Sequence, residues 1–235
     1  MENERADRFL DRYKQLEQLL KVHYANESGR YESVVARYEN SRECGDMGDE
    51  LRAVREIRNL LQHSPKIDGA YIVTPSDAVM DSLEKIIRMV EHPRLAVDYG
   101  VKEHQVFKTT LNSPLLKVIK GMQDRGFSHV PVIEEGRIYG VLSAYTVFEF
   151  VAKQGMAILT ETTKVKAMRE YLPVGKHRNE YYIFMPRTAT FIEADEAFQK
   201  RDAKGRRLVV IFITEHGQPD ESMIAMLTPW SVVGK

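Results

Sequence analysis

Cysteine is nearly absent. Cys44 is the one thiol in 235 residues, so no disulfide forms within the chain, and a reducing cytoplasm is its natural home. An excess of either charge is absent too. Lys and Arg number 34, Asp and Glu 34, and the formal net charge is +0. No global field gathers nucleic acid, so RNA or DNA binding has to come from a local patch. Long apolar runs are missing. The longest, Leu208 to Ile213, falls far short of the roughly 20 residues of a spanning helix. The charged start MENERADRF lacks the apolar core of a signal peptide. A cytoplasmic chain with no membrane partner is expected. There is no phosphate-binding loop and no dinucleotide glycine motif. The seven histidines lack metal-ligand spacing, so no metal site is expected. Cys44 has no histidine pattern nearby to make it a nucleophile and reads as a spectator. What is present is apolar mass. Hydrophobic residues make up 43%, which excludes global disorder and suffices for one large core or two small ones.

The first 93 residues read as helical. Phe9, Tyr13, Leu16, Leu19 and Leu20 share one face at helical spacing. Tyr31, Val34, Val35 and Tyr38 form a shorter stripe. After Gly45 and Gly48, Asp49 is placed to cap a third helix with Leu51, Val54, Ile57, Leu60 and Leu61 inside. Pro65 stops it. Ser76 or Thr74 caps a fourth helix, with Val79, Met80, Leu83, Ile86, Ile87 and Val90 buried, ending at Pro93. Four amphipathic helices with short connections predict an all-α four-helix bundle.

The pattern changes after Pro93. An extended piece at Val106-Phe107 precedes a helix from Leu115 to Met122. A strand at Val130–Ile133, a turn at Glu134-Glu-Gly136, a strand at Ile138–Leu142 and a helix at Thr146–Ala152 follow. The order then repeats: Tyr181–Met185, a helix from Ile192 to Lys200, a strand at Leu208–Ile213, a turn at Glu215-His-Gly217 and a strand at Met223–Leu227. Two such units are expected to pack together over one joint core. The whole is an α+β chain: residues 1–93 helical, 94–155 a first β-α-β-β-α unit, 156–235 a second. Trp230 is expected to pack on the second unit's sheet or to stack on a base.

Ser113-Pro-Leu-Leu-Lys-Val-Ile-Lys-Gly-Met-Gln-Asp-Arg-Gly-Phe-Ser-His-Val-Pro-Val-Ile, with Gly140-Val-Leu-Ser143 after it, resembles a CBS (cystathionine-beta-synthase) motif. Arg206-Arg-Leu-Val-Val-Ile-Phe-Ile-Thr, with Ala225-Met-Leu-Thr-Pro-Trp, is similar to a second. The resemblance implies a tandem CBS pair, a regulatory module that senses adenine nucleotides or related ligands and often dimerises. It places ligand contacts at Lys108, Thr110, His129, Val130, Pro131, Ser143 and Thr146, and at Arg187, Thr188, Val209, Thr228 and Ser231. Arg206 and Arg207 add positive charge, and at least one of the pair points outward by strand alternation. The family's ligand signature runs Gly, apolar, any residue, Ser/Thr, two residues, Asp. Here Gly140-Val-Leu-Ser143-Ala-Tyr-Thr146 and Ala225-Met-Leu-Thr228-Pro-Trp-Ser231 keep the hydroxyl, and neither keeps the Asp. The carboxylate that would take two ribose hydroxyls is gone. An adenine nucleotide, a cyclic dinucleotide, another anion, or no ligand fits that pattern. Ser143 and Thr228 either bind phosphate or cap the helix that follows.

Arg58-Asn-Leu-Leu-Gln-His63 fits a second pattern, Arg followed after four residues by His. In a small helical bundle it resembles a HEPN (higher eukaryote and prokaryote nucleotide-binding) domain. Many members of that family are dimeric metal-independent endoribonucleases. The resemblance implies catalytic roles for Arg58, Asn59 and His63 and RNA as a substrate. Histidine moves the 2′-hydroxyl proton and arginine stabilises charge on the phosphate. On a straight helix, residues five apart lie about 140° around the axis, so Arg58 and His63 do not share a face. Arg58 otherwise pairs with a carboxylate such as Glu50 or Glu84, and His63 caps the helix C-terminus. Arg52, Arg55 and Arg58 form a basic stripe or an ordinary solvated face.

Three readings stand: a nucleotide-sensing regulatory homodimer, a ribonuclease under the control of the CBS pair, and a ligand-free dimerisation module.

Overall fold

Apolar residues at alternating steps of three and four put Ala6, Phe9, Tyr13, Leu16 and Leu20 on one buried stripe of helix α1 (Glu2–His23). The computed structural model describes residues 2–24, 33–154 and 159–233, and they form two compact units, Met1–Pro93 and Arg94–Lys235. The first is helical. α1 packs with α2 (Val34–Glu39), α3 (Gly48–His63) and α4 (Asp77–Glu91). Leu51, Val54, Leu83, Ile86 and Ile87 join its stripe in one core. Tyr31, assigned to the second stripe from sequence, lies outside the described residues. Ser76 caps α4, its Oγ accepting from the Val79 N–H at 3.4 Å. Ser64 ends α3 in extended backbone before Pro65.

Two details of this unit differ from what the sequence predicts. Met47, not Asp49, is the N-cap of α3; the helix starts at Gly48, and Asp49 sits in its first turn. There its charge still faces the helix N-terminus and pairs with Arg52 at 3.4 Å. Leu60 is 44% exposed while Leu61 is buried. Adjacent helical residues lie about 100° apart, and here Leu61 turns into the core while Leu60 points away from it. Cys44 is buried, and desolvation with nearby Glu39 and Glu50 pushes its thiol up to about 11. It stays an unreactive thiol at neutral pH.

The second unit holds the repeat. In its first half, helix α5 (Leu115–Arg125) precedes the antiparallel hairpin of β2 (His129–Glu134) and β3 (Arg137–Ser143). Glu135 and Gly136 make the turn with positive φ at both positions, 51° and 78°, the geometry a two-residue hairpin loop demands. Helix α6 (Ala144–Gln154) follows directly. In the second half β4 (Glu180–Pro186), α7 (Phe191–Gln199), β5 (Arg207–Thr214) and β6 (Ala225–Leu227) keep the same order. β4 pairs parallel with β5, and β5 antiparallel with β6. After β6 the chain makes a 3-10 turn, Pro229–Ser231. Trp230 within it is 83% exposed, so it does not pack on the sheet. No described helix is long and apolar enough to cross a membrane.

The halves exchange segments. The short strand β1 (Val101–Lys102) pairs with β6, giving a four-stranded sheet in the order β1-β6-β5-β4. At the extended piece expected at Val106-Phe107, Val106 has extended backbone, φ −68° and ψ 128°, but no strand forms there. A 3-10 turn, Glu103–Gln105, brings Val106 into the core shared by the halves, among Ile138, Val141, Tyr182, Val210, Phe212 and Met223. Strand-like pairing resumes at Thr109, which bridges Val132 in parallel. Conversely Val165, Met168 and Leu172, beyond the boundary drawn at 155, fill the core of the first half.

Candidate functional site

The hydroxyls singled out by the repeat sit where each last strand turns into the next element. Ser143 ends β3 and Thr146 lies in the first turn of α6. The Ser143 N–H donates to Thr146 Oγ1 at 2.9 Å, the Thr146 N–H to Ser143 Oγ at 3.2 Å, and Thr146 Oγ1 to the Ser143 carbonyl at 2.9 Å. Both residues are 1% exposed. They form a reciprocal cap that satisfies the orphan donors of α6. The second half repeats the device with the residue types exchanged. The Thr228 N–H donates to Ser231 Oγ at 3.1 Å, and the Ser231 N–H to the Thr228 carbonyl at 2.8 Å. Here both residues are only half-buried.

Ser143 pairs in register with His129 at the start of β2, and His129 leads into a buried polar cluster. Its Nε2 lies 3.0 Å from Glu180 Oε2, and its Nδ1 lies 2.8 Å from Ser128 Oγ. The neutral tautomer with hydrogen on Nε2 satisfies both contacts. Tyr182 donates its hydroxyl to Glu180 Oε1 at 2.7 Å, and His177 Nδ1 approaches the same oxygen at 3.3 Å. His177 Nε2 donates to the Leu172 carbonyl at 3.1 Å. The Glu180 side chain is 12% exposed and that of His177 is fully buried. Burial pushes the Glu180 carboxyl upward, but hydrogen bonds from His129, His177 and Tyr182 outweigh it and hold the group below the usual carboxylate range. Desolvation, then the Glu180 charge, pushes the Tyr182 phenol above its ordinary value. This cluster ties β2 of the first half to β4 of the second.

Of its members, the sequence reading named His129 alone. A signal for the others was present. Period-two alternation puts Glu180 and Tyr182 on one face of β4, and a carboxylate on an inward face needs partners.

The remaining ligand candidates are scattered over the two halves. Lys108 forms an ion pair with Glu103. Thr110 is exposed, its hydroxyl 3.1 Å from Ser113 Oγ. Val130 and Pro131 are buried in β2, and Val209 is half-buried in β5. Arg187 and Thr188 are exposed just after β4, with Arg187 Nε 3.3 Å from Glu215 Oε2. Arg207 points outward. Arg206 is held by Asp202 at 2.7 Å and donates to the His177 carbonyl at 2.7 Å.

In the helical unit, the carboxylate that holds Arg58 is Glu17 of α1, at 3.3 Å, not Glu50 or Glu84; Glu84 holds Arg12 instead. The Arg58 guanidinium also donates to Asn59 Oδ1 at 3.2 Å and lies 5.3 Å from the Tyr13 ring centre. Arg52 and Arg55 both pair with the buried carboxylate of Glu39 at 3.0 Å. Each arginine of the basic stripe is thus matched by an acid. His63, the last residue of α3, is exposed. Pockets of about 350 and 570 Å³ flank the Arg58–Glu17 pair; Asn59 lines the smaller, and His63 neither.

Among solved structures, the chain is similar to CBSX2 in complex with AMP, at 14% identity and TM-score 0.42, over 60% of this chain and 93% of that one. A CBS domain-containing protein from Bacillus anthracis shows 14% identity and TM-score 0.41, over 59% and 89%. The CBS domain pair of protein MJ0100, in complex with 5-methylthioadenosine and S-adenosyl-L-methionine, shows 11% identity and TM-score 0.41, over 60% and 94%. No curated protein sequence matches the chain. The family model of the CBS domain matches residues 98–153, the segment that runs from before β1 through α6, and the chain therefore carries a CBS domain there.

Proposed function

We propose that this chain is a regulatory protein in which a CBS pair senses a nucleotide or related anionic ligand and controls the helical unit, working as a homodimer. The observation that carries this reading is the duplicated hydroxyl cap. A CBS domain at 98–153 is followed by a second β-α-β-β run that ends on the same device, Thr228 and Ser231 in place of Ser143 and Thr146. The two copies differ in access. Ser143 and Thr146 are sealed and mutually satisfied, whereas Thr228 and Ser231 are half-buried and Arg187 and Thr188 are exposed. Ligand binding belongs to the second copy. With no carboxylate to take a ribose, the phosphate carries the recognition and Arg187 meets it. The ligand shifts the module only through its difference in affinity between two states. Exposed Phe148 on α6 and Trp230 supply apolar surface for a second copy of the chain.

Thermal unfolding with AMP, S-adenosylmethionine and a cyclic dinucleotide tests this. A ligand at about 100 times its dissociation constant adds roughly 2.7 kcal/mol, a rise in midpoint of about 5–10 °C for a unit of this size. Arg187→Glu removes the rise. No shift with any of the three establishes the ligand-free dimerisation module instead.

A second reading rests on the two pockets that meet at Arg58. There the helical unit is a metal-independent endoribonuclease, with Arg58 and Asn59 on the phosphate and His63 moving the proton. Cleavage of a mixed RNA pool in EDTA that disappears in His63→Ala supports it. Activity unchanged in the variant removes it.

A further inference from the structure

Several cations of the repeat-bearing unit have an acid close by: Lys102 pairs with Asp98, Lys108 with Glu103, Lys200 with Glu196 and Arg178 with Glu149. One stretch instead gathers its cations around a cavity. A pocket of about 740 Å³ opens between β3 and residues 166–176, lined by Lys166, Arg169 and Lys176 with Glu170 as its one carboxylate. Among the described residues, Lys166 and Lys176 form no ion pair. Arg169 has only a long contact to Glu134, 3.8 Å. Its guanidinium is oriented all the same. Nε donates to the Tyr139 hydroxyl at 3.1 Å, and the group lies 5.2 Å from the Tyr139 ring centre. Tyr139 and Tyr171 supply apolar wall, and Tyr171 is fixed edge-on against buried Phe150 at 5.8 Å. A chain of zero net charge has here gathered three cations around a cavity within the ~300–1,000 Å³ range of small-molecule sites. Like charges so placed repel one another, and an anion among them removes that repulsion.

We propose that this pocket binds a phosphate-chain ligand, with Arg169 as the pre-oriented donor and Lys166 and Lys176 closing on the chain. The three cations suit several phosphate groups rather than one. An Arg fork held by a tyrosine loses little freedom on binding. Neither hydroxyl cap nor Arg187 contributes to this pocket, so the site is separate from the one proposed above. Two sources offer this chemistry, a nucleoside triphosphate and inorganic polyphosphate. Tyrosine walls favour the nucleotide, whose base has a face to stack.

Isothermal titration of the full chain with ATP and with inorganic tripolyphosphate tests the site. Three proteins are compared: the wild type, a Lys166→Glu/Lys176→Glu double variant, and Arg187→Glu. The exchanged lysines are exposed, so the fold is kept, and an unchanged melting temperature checks it. The wild type is expected to bind ATP, with affinity that falls as salt rises. The double variant is expected to weaken that event by about tenfold or more, while Arg187→Glu retains it. Tripolyphosphate binding as tightly as ATP assigns the site to the phosphate chain alone; weaker binding assigns it to the nucleotide. A double variant that titrates like the wild type with both probes overturns the proposal, whether both bind elsewhere or neither binds at all. An AMP-induced thermal shift lost only in Arg187→Glu leaves the separate reading of the second hydroxyl cap standing in that case.

Discussion

Replacing Glu180 by alanine lowers the stability of the repeat-bearing unit by about 3–5 kcal/mol. The carboxylate is the common acceptor for His129 and Tyr182, and His177 packs on the same oxygen as Tyr182. Removing it takes the shared acceptor from His129 Nε2 and leaves the Tyr182 hydroxyl only His177 Nδ1, 3.3 Å away, so much of their desolvation cost goes uncompensated. Tyr182 suffers most, because it lies in the apolar core between the halves, its ring 6.4 Å from that of Phe212. Denaturant unfolding of the wild type, Glu180→Ala and Glu180→Gln measures the effect. Glutamine keeps an acceptor oxygen and loses the charge, so its cost is the smaller. An alanine variant as stable as the wild type would show that the cluster contributes nothing to joining the halves.

The same residue sets an acid limit. Its carboxyl is held below the ordinary glutamate value of 4.5 in the folded chain. A carboxyl lowered on folding contributes stability that is fully present above its unfolded pKa and is lost as pH falls through the folded one. The advantage of the wild type over Glu180→Gln is therefore constant near neutrality and shrinks below about pH 4.5. A gap that widens on acidification would reverse the assignment of the charged form to the native state.

Local signals carried much of this fold in the sequence. The stripe from Ala6 to Leu20, the stop at Pro65 and the Glu135-Gly136 turn each depend on residues within a few positions of one another. What escaped depends on distant segments. Val101 and Lys102 are too short a strand to announce themselves, and only β6, more than a hundred residues later, gives them partners. Val165, Met168 and Leu172 step by three and four, but over a run of only two turns, and they complete the first core because that half alone leaves it uncovered. Arg58 illustrates the limit for the site. Its neighbours on α3 were legible, but Glu17 reaches it from α1, and no spacing rule links positions on separate helices. The hydroxyls at 143 and 228 were legible as both ligand contacts and caps. In the first copy the hydrogen bonds go to the cap.

Gly140 of the signature has a use that its pattern did not reveal, and its loss carries the second large effect. The residue lies in β3 beside the 165–176 segment, and the next residue, Val141, donates its N–H to the Leu172 carbonyl at 2.8 Å. A methyl group at position 140 would lie 2.2 Å from that carbonyl oxygen, 2.5 Å from its carbon and 3.0 Å from the Pro173 nitrogen. All three are backbone atoms, so no side chain can swing away. Relief requires the segment to lift, which breaks the Val141 hydrogen bond, pulls buried Leu172 out of the first core and shifts His177, whose ring donates to the same carbonyl. Gly140→Ala is therefore expected to cost about 3 kcal/mol or more, the upper range of overpacking, and to lower the melting midpoint by several degrees. Gly175→Ala is the matched control. That glycine has open space around its Cα and no positive φ, so the added methyl group restricts the unfolded chain and leaves stability unchanged or slightly raised. Equal melting temperatures for the two variants would mean that the segment yields freely at Leu172. In that event the glycine would not be there to let a backbone carbonyl reach β3, and the contact that joins the polar cluster to the first half would be a soft one.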